Sequence, residues 1–298
     1  MGSLAELRSQ YHAALCTEVL SFGRKRVKGQ WIEVYSNADG NNGVSVALAQ
    51  QMAERLEWQV SSQGLTGQAA GSLFEHHTRD FLEQAFGALA HLRPASWLFT
   101  LGKTNLISRF DQYQHLDDIE ALVQQHPELH SALGGDYLVM PDIVVAREPL
   151  TDQQINKSKA TPVLDGDDDA TAIYSNLRRA NSSRPILHAS ISCKWTIRSD
   201  RAQNTRTEAN NLIRNRKGRT PHIAAVTMEP LPSRLASIAM GTGEIDCAYH
   251  AALTELLDAA WNLAGQDQYF ASAYETLQLL VVGNRLKDIS DLPFDLIY

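Results

Sequence analysis

The stretch from His188 to Arg219, HASISCKWTIRSDRAQNTRTEANNLIRNRKGR, constrains this chain more than any other. It opens as a strand-length run of apolar and small residues and continues into a polar, arginine-rich segment of helical character. Period-two alternation places Ser190, Ser192 and Lys194 on one face of the strand, with Ile191 and Cys193 on the other. A lysine thereby stands beside small hydroxyls at a strand end. From Lys194 to Arg219 there are eight basic residues and two acidic ones, a local charge of +6 in a chain of net charge −7, which leaves −13 for the remainder. Positive charge so concentrated in an otherwise acidic chain predicts one face built for a polyanion. The overall acidity predicts weak non-specific binding and a salt-sensitive specific mode.

The 298 residues, 44% of them hydrophobic, are enough for a sizeable core. No internal repeat and no long Pro/Gly/Ser linker divides them, so residues 1–298 are expected to form a single α/β domain. Neither a secretory leader nor a membrane-spanning run of about 18 apolar residues is present, which predicts a cytoplasmic protein with no membrane partner. Cys16, Cys193 and Cys247 are far apart with no CxxC pair. That spacing argues for reduced thiols rather than a disulfide framework or a structural zinc site.

Along the chain, residues 4–20 have helical spacing, and Phe22 to Gly29 reads as a basic connection. SNADGNNG, Ser36 to Gly43, is a cluster of turn formers ahead of a helix over about 45–56. It is either a solvated turn or a contact loop. The segment from Gly64 to Leu89 carries apolar positions at helical spacing. Its Glu75 reads as an acid in the first helical turn, favourable there for the helix dipole, or as a functional group. The adjacent His76 and His77 point apart on a helix and make a poor metal pair. A strand is expected within Trp97 to Ile107, helix around Gln112 to Leu133, a break at Gly134 and Gly135, and a strand over DYLVMPDIVVAREP with Pro141 just before Asp142. Asp142 is either a turn residue at the strand entrance or a buried carboxylate in need of a partner or a metal. Thr151 to Asp169, ending in GDDD, reads as an exposed insertion without the ligand register of a calcium loop. Farther on, Pro221 to Pro230 suggests a buried strand, PSRLASIAMGTGE a short helix capped by glycine, and Ile245 to Tyr249 a strand. Helices over 250–264 and 269–277 and a last strand at Leu279 to Val282 complete the reading.

Asp142 at the head of one strand, Lys194 at the end of another beside Ser192, and Glu208 fourteen residues further on a helix supply two carboxylates and a cation. A metal-dependent phosphodiesterase needs such a set: oxygens to hold Mg²⁺ and positive charge near the attacking water or the developing phosphorane. Alternating Arg198, Asp200 and Arg201 suit a C/G-rich duplex site, because arginine donates two bonds to guanine O6/N7 and aspartate accepts from cytosine N4.

Pro141-Asp142, then Ser192-x-Lys194 with a displaced glutamate, resembles a variant of the PD-(D/E)XK nuclease motif. The chain as a whole resembles the NgoMIV-like type II restriction endonucleases of that superfamily. The matching segments run in order: SNADG at Ser36, GQxxGxxFE at Gly67 to Glu75, Pro141-Asp142-Ile143, HASISCKWTIRSDRAQN at His188, RNRKGRxPHI at Arg214, PSR at Pro232, GTGEIDC at Gly241 and RLKDISDLP at Arg285. The resemblance implies a central mixed β-sheet flanked by helices, the restriction-endonuclease-like core. It also implies Mg²⁺-dependent double-strand cleavage of DNA at a palindrome with a CCGG core, with GCCGGC favoured, 5′-phosphate ends, two Mg²⁺ per active site and a homotetramer. By the same resemblance Asp142, Glu208 and the backbone carbonyl of Cys193 are metal ligands. Lys194 holds the attacking water or the scissile phosphate, Ser192 fills a slot usually held by an acid, and Glu75 is an accessory acid. Arg198, Asp200 and Arg201 fall on the inner base readers, Asp39 and Arg234 on the outer ones, and Gln68 on a minor-groove contact. Asn41 stands where the family has a serine. Two other readings are a repair or recombination nuclease of the same superfamily and a sequence-specific DNA-binding protein without catalysis.

Overall fold

The structure, a computed structural model, describes residues 2–297 except 28–29, 57–58, 61–63, 103–104, 127, 129–130, 132–137, 158, 165–169 and 242. The expected break at Gly134 and Gly135 and the GDDD run at Gly166 to Asp169 lie outside the described residues. Among the described residues six strands form one sheet in the order β3-β4-β5-β6-β7-β8, with a separate hairpin of β1 (Phe22–Val27) and β2 (Gln30–Tyr35). The sheet strands are β3 (Trp97–Leu101), β4 (Ile143–Arg147), β5 (Ile186–Lys194), β6 (His222–Thr227), β7 (Cys247–His250) and β8 (Leu286–Asp288). Antiparallel pairing of β3 with β4 and parallel pairing of β6 with β7 and of β7 with β8 make it the expected mixed α/β sheet, with helices around it. No helix among the described residues is long and apolar enough to cross a membrane.

The chain separates into two compact units. The larger comprises Met1–Arg93, Ile191–Asn210 and Ile223–Tyr298. It holds helices α1 (Leu4–Ala14), α2 (Gly43–Leu56) and α3 (Gly67–Ala88). Ser3 caps α1, and a π-helical turn, Leu15–Val19, extends it. In α3, Phe74, Thr78, Phe81, Leu82, Ala85 and Phe86 are buried, a stripe at the spacing expected of one helix face. Thr66 caps this helix by accepting the Ala69 N–H at 3.2 Å. Within the same unit, Arg8 bridges Glu255 and Asp288 at 2.7 and 2.8 Å.

The smaller unit, Pro94–Ser190 with Asn211–His222, contains β3, β4 and the start of β5. It also holds helices α4 (His115–Gln125) and α5 (Asp152–Ile155), the latter inside the expected insertion. Buried Gln112 pairs with the backbone of Leu187 in both directions, donating to its carbonyl at 2.7 Å and accepting its N–H at 2.9 Å. Arg178 grips Asp152 with two hydrogen bonds at 2.7 and 2.8 Å. Helix α6 (Ser199–Asn215) begins in the larger unit and ends in this one.

Three expectations are corrected. Phe22 to Gly29 is no mere connection: Phe22–Val27 is a strand, paired in register with Gln30–Tyr35. Leu279 to Val282 is the last turn of α9 (Gln268–Val282), which follows α7 (Pro232–Ala239) and α8 (Leu253–Leu263); the strand comes later, at Leu286–Asp288. Leu277 and Leu280 are buried while Leu279 and Val282 are 58% and 83% exposed, a helical rather than an alternating pattern. Helix α7 ends at Met240 in extended conformation, without a glycine cap. The three cysteines are buried and form no disulfide.

Candidate active site and base-reading surface

The end of β5 keeps its alternation: Ser192 and Lys194 are half-buried, Ile191 and Cys193 buried. The Cys193 sulfur therefore belongs to the core side. Trp195, the next residue, meets Phe74 edge-on with ring centroids 5.3 Å apart, which fastens α3 to the segment following the strand. Glu75 is the neighbour of that anchor. Because α3 starts at Gly67, Glu75 lies two turns inside the helix, and no acid occupies its first turn. The account of Glu75 as an N-terminal dipole partner is thereby excluded.

The Arg198 carbonyl accepts the Ala202 N–H at 2.9 Å, so Arg198, Asp200 and Arg201 form the entry turn of α6. Arg198 and Asp200 are exposed and Arg201 half-buried. Three residues apart, Arg198 and Arg201 share a helix face, at the end where the helix dipole favours anions. Thr205, one turn on, donates to the Arg201 carbonyl at 3.0 Å and touches the Ser192 hydroxyl at 3.4 Å. Glu208 follows Thr205 by three residues, on the helix face that Thr205 turns toward the strand.

Asp142 stands in the smaller unit, half-buried, immediately before β4. Its carbonyl accepts the Gly102 N–H at 3.1 Å, and Gly102 has φ +68°, a conformation that favours glycine. The Pro141 carbonyl accepts from the side chain of buried Asn105 at 3.3 Å; Asn105 also donates to the Thr100 carbonyl and accepts from its hydroxyl. A lone asparagine in an apolar stretch gave no sign of this role.

Asp39 and Arg234, two separately placed outer-pair candidates, are brought together as an ion pair. Asp39 is set by its turn: its side chain accepts the Asn41 N–H at 3.0 Å, its N–H bonds the Ser45 hydroxyl at 2.9 Å, and Asn42 accepts the Ser45 N–H at 3.1 Å. Lys25 on the hairpin donates to the Asn41 side chain and to the Gly40 carbonyl at 2.7 and 3.1 Å. Gln68 is exposed at the start of α3. His76 bonds the Ser72 carbonyl and His77 meets Glu18 at 3.1 Å, so the two rings serve different partners.

The basic stretch is less uniform than its charge suggests. Arg206 turns inward, donating to the carbonyls of Ser237, Ile238 and Met240 and meeting Glu244 at 3.3 Å. It closes the end of α7 in place of the expected glycine. Arg214, Lys217 and Arg219 remain exposed. Arg234 also reaches Glu229 at 3.5 Å, a carboxylate with no exposure at all. Burial pushes the Glu229 carboxyl up, against the opposing pull of its N–H partners and Arg234. An acid closing an otherwise apolar strand was the available signal for it, since a buried charge requires partners.

Among the described residues no three His, Cys, Asp or Glu side chains gather as a metal cage. Mg²⁺ does not require one: it keeps several waters and takes one or two carboxylates. Glu208 in the larger unit and Asp142 in the smaller each carry the kind of hard oxygen donor that this ion prefers.

Comparison with known proteins identifies the family. The sequence profile of the NgoMIV restriction enzyme family matches residues 11–298. The type II restriction enzyme NgoMIV of Neisseria gonorrhoeae is 48% identical over 266 residues, covering 88% of this chain and 90% of that relative. With a match through nearly its whole length and an identity this high, the chain belongs to the NgoMIV restriction enzyme family.

Proposed function

We propose that this protein is a type II restriction endonuclease that makes Mg²⁺-dependent double-strand cuts at a palindrome with a CCGG core, GCCGGC being the favoured site. The observation that carries the reading is the pairing of β5 with α6. Ser192 and Lys194 end the strand, Thr205 joins the helix to Ser192, Glu208 lies on that same helix face, and the entry turn carries Arg198, Asp200 and Arg201. One strand-turn-helix unit thus supplies both a candidate catalytic group and candidate base readers.

In the proposed reaction a water attacks the scissile phosphorus, the P–O3′ bond breaks, and the ends carry 5′-phosphate and 3′-hydroxyl. Asp142, Glu208 and the Cys193 carbonyl would hold Mg²⁺, two ions per site. Bound there, Mg²⁺ would draw charge from the phosphate oxygens and acidify a coordinated water. The Lys194 ammonium holds the attacking water or the scissile phosphate, offsetting negative charge that grows as the water adds. Glu75 is an accessory acid, and Ser192 takes the slot of the missing strand carboxylate. Arg198 and Arg201 donate to guanine and Asp200 accepts from cytosine. Asp39 and Arg234 read the outer pair, and Gln68 reaches the minor groove.

The family match supports treating residues 11–298 as one endonuclease domain, which we place in the cytoplasm. A palindrome calls for an isologous pair of subunits, which presents the same readers to both strands. We assign a tetramer of two such dimers; Trp261, Tyr269, Leu279 and Val282, exposed on α8 and α9, offer apolar surface for assembly.

The test is incubation with Mg²⁺ and plasmids that carry or lack GCCGGC, alongside Asp142→Ala. Discrete fragments from the site-bearing plasmid alone, lost in Asp142→Ala while a gel shift on the site persists, are expected. A smear or nicking would indicate the repair-type nuclease, and a shift without cleavage by the unaltered protein a binding protein. Normal cleavage by Asp142→Ala would remove Asp142 from the site.

A further inference from the structure

Glu229 lies just beyond β6, and its side chain is fully buried. One carboxylate oxygen accepts the backbone N–H of Ile197 at 2.9 Å and meets the Arg234 guanidinium at 3.5 Å; the other accepts the Leu231 N–H at 3.1 Å. Its own N–H donates to the Thr227 hydroxyl at 3.1 Å, and His250 donates to its carbonyl at 3.2 Å. Ile197 immediately precedes Arg198, and Leu231 immediately precedes the helix that bears Arg234. A single carboxylate therefore fixes the backbone at the entrance of the inner reading turn, the backbone before α7 and the side chain of the outer reader.

A buried acid is a costly way to join three segments that apolar packing could hold. What it adds is direction: two N–H groups and one guanidinium must point at the two oxygens of one carboxylate. We propose that Glu229 is a positioning residue for sequence discrimination, holding the Arg198 to Arg201 turn and the Asp39–Arg234 pair in fixed register so that inner and outer base pairs are read as one site. This deepens the reading of those residues as base contacts and rests on it.

Glu229→Gln keeps the shape but turns one acceptor into a donor facing N–H groups. Single-turnover cleavage rates would be measured on GCCGGC, on duplexes with the outer pair exchanged and on duplexes with an inner pair exchanged. The ratio of cognate to outer-exchanged rates is expected to fall roughly tenfold, the size of a lost bidentate contact, with a smaller fall for the inner exchange. In an Arg234→Ala background, Glu229→Gln should cause no further loss of outer-pair discrimination. Should Glu229→Gln fail to fold, as judged by thermal unfolding, Glu229→Asp carries the same measurements, since it keeps the charge and withdraws it by one methylene. Equal loss on cognate and exchanged duplexes, with the ratios intact, would mean a purely structural carboxylate and would overturn the proposal. A wild-type enzyme that cuts every duplex alike would instead refute the base-reader assignment beneath it.

Discussion

At the scale of single residues, the proposed chemistry turns on Ser192 and Glu208. A glutamate at 192 would extend from the strand beside Lys194, where the superfamily motif usually has its acid. Here the strand offers only a hydroxyl, which Thr205 of the helix touches, and in the proposed reading Glu208 serves from that helix. Glu208→Ala should lower the single-turnover rate on the order of a thousandfold, the several kcal/mol expected of a metal-bound carboxylate. Adding Ser192→Glu to it should return part of that rate, because the carboxylate re-enters the same few ångströms. Recovery should stay incomplete and should improve at higher Mg²⁺, since the new side chain lacks supporting hydrogen bonds. A double variant no faster than Glu208→Ala at any Mg²⁺ concentration would show that the two positions do not serve one ion.

At the scale of elements, the proposed function puts base reading at the start of α6 and phosphate binding in the loop beyond its end. Arg198 sits in its exposed entry turn, whereas Lys217 lies in the loop beyond its end, its N–H fixed to the Gln112 carbonyl at 2.9 Å. Arg198→Ala should cost about 1–3 kcal/mol of discrimination at one base pair. Lys217→Ala should weaken every duplex alike and flatten the dependence of binding on salt. Affinities of both variants for specific and random duplexes over a salt series decide the matter: equal losses for Arg198→Ala would assign it to phosphate. The sequence reading found this helix and the strand before it because their signals are local, an alternation ending in lysine and then a polar run. It missed the β1–β2 hairpin because FGRKRV and QWIEVY build a separate two-stranded sheet in which Arg24, Lys25 and Arg26 are exposed, leaving no apolar alternation to read. It misplaced the last strand because LLVV has β-branched character, while the true strand, Leu-Lys-Asp, is too short to show a pattern. Arg206, Asn105 and Glu229 escaped for another reason: their partners lie 31 or more residues away, apart from local contacts, and no spacing rule predicts such meetings.

For the molecule as a whole, acid is the predictable weakness. His250 is fully buried, accepting the Ala252 N–H on Nδ1 and donating to the Glu229 carbonyl. Burial lowers its pKa from 6.5 to about 4, against the opposing influence of Asp288, the hydrogen bond to Glu229 and Glu255. The unfolded state binds this proton first, so the associated stability is complete above about pH 6.5 and disappears as pH falls toward 4. Buried His12, also lowered, and Asp288 and Glu255, held down by Arg8 in spite of burial, shift stability in the same direction. Urea unfolding should lose about 2 kcal/mol between pH 7 and pH 5 through His250 alone, and His250→Gln should flatten that part of the profile. An unchanged slope in the variant would place the acid sensitivity elsewhere.

The ion pair of Asp39 with Arg234 bears on how such a protein searches a genome. In the free protein Asp39 and Arg234 are already partners, so neither presents a bare charge to passing phosphates. On a matching outer pair the two would trade each other for guanine and cytosine, and the exchange would be nearly even. On a mismatched pair there would be nothing to trade for, and the two would remain closed on each other. The outer base pair would then add little grip but much selectivity, and the enzyme could move along foreign sequence without being held there.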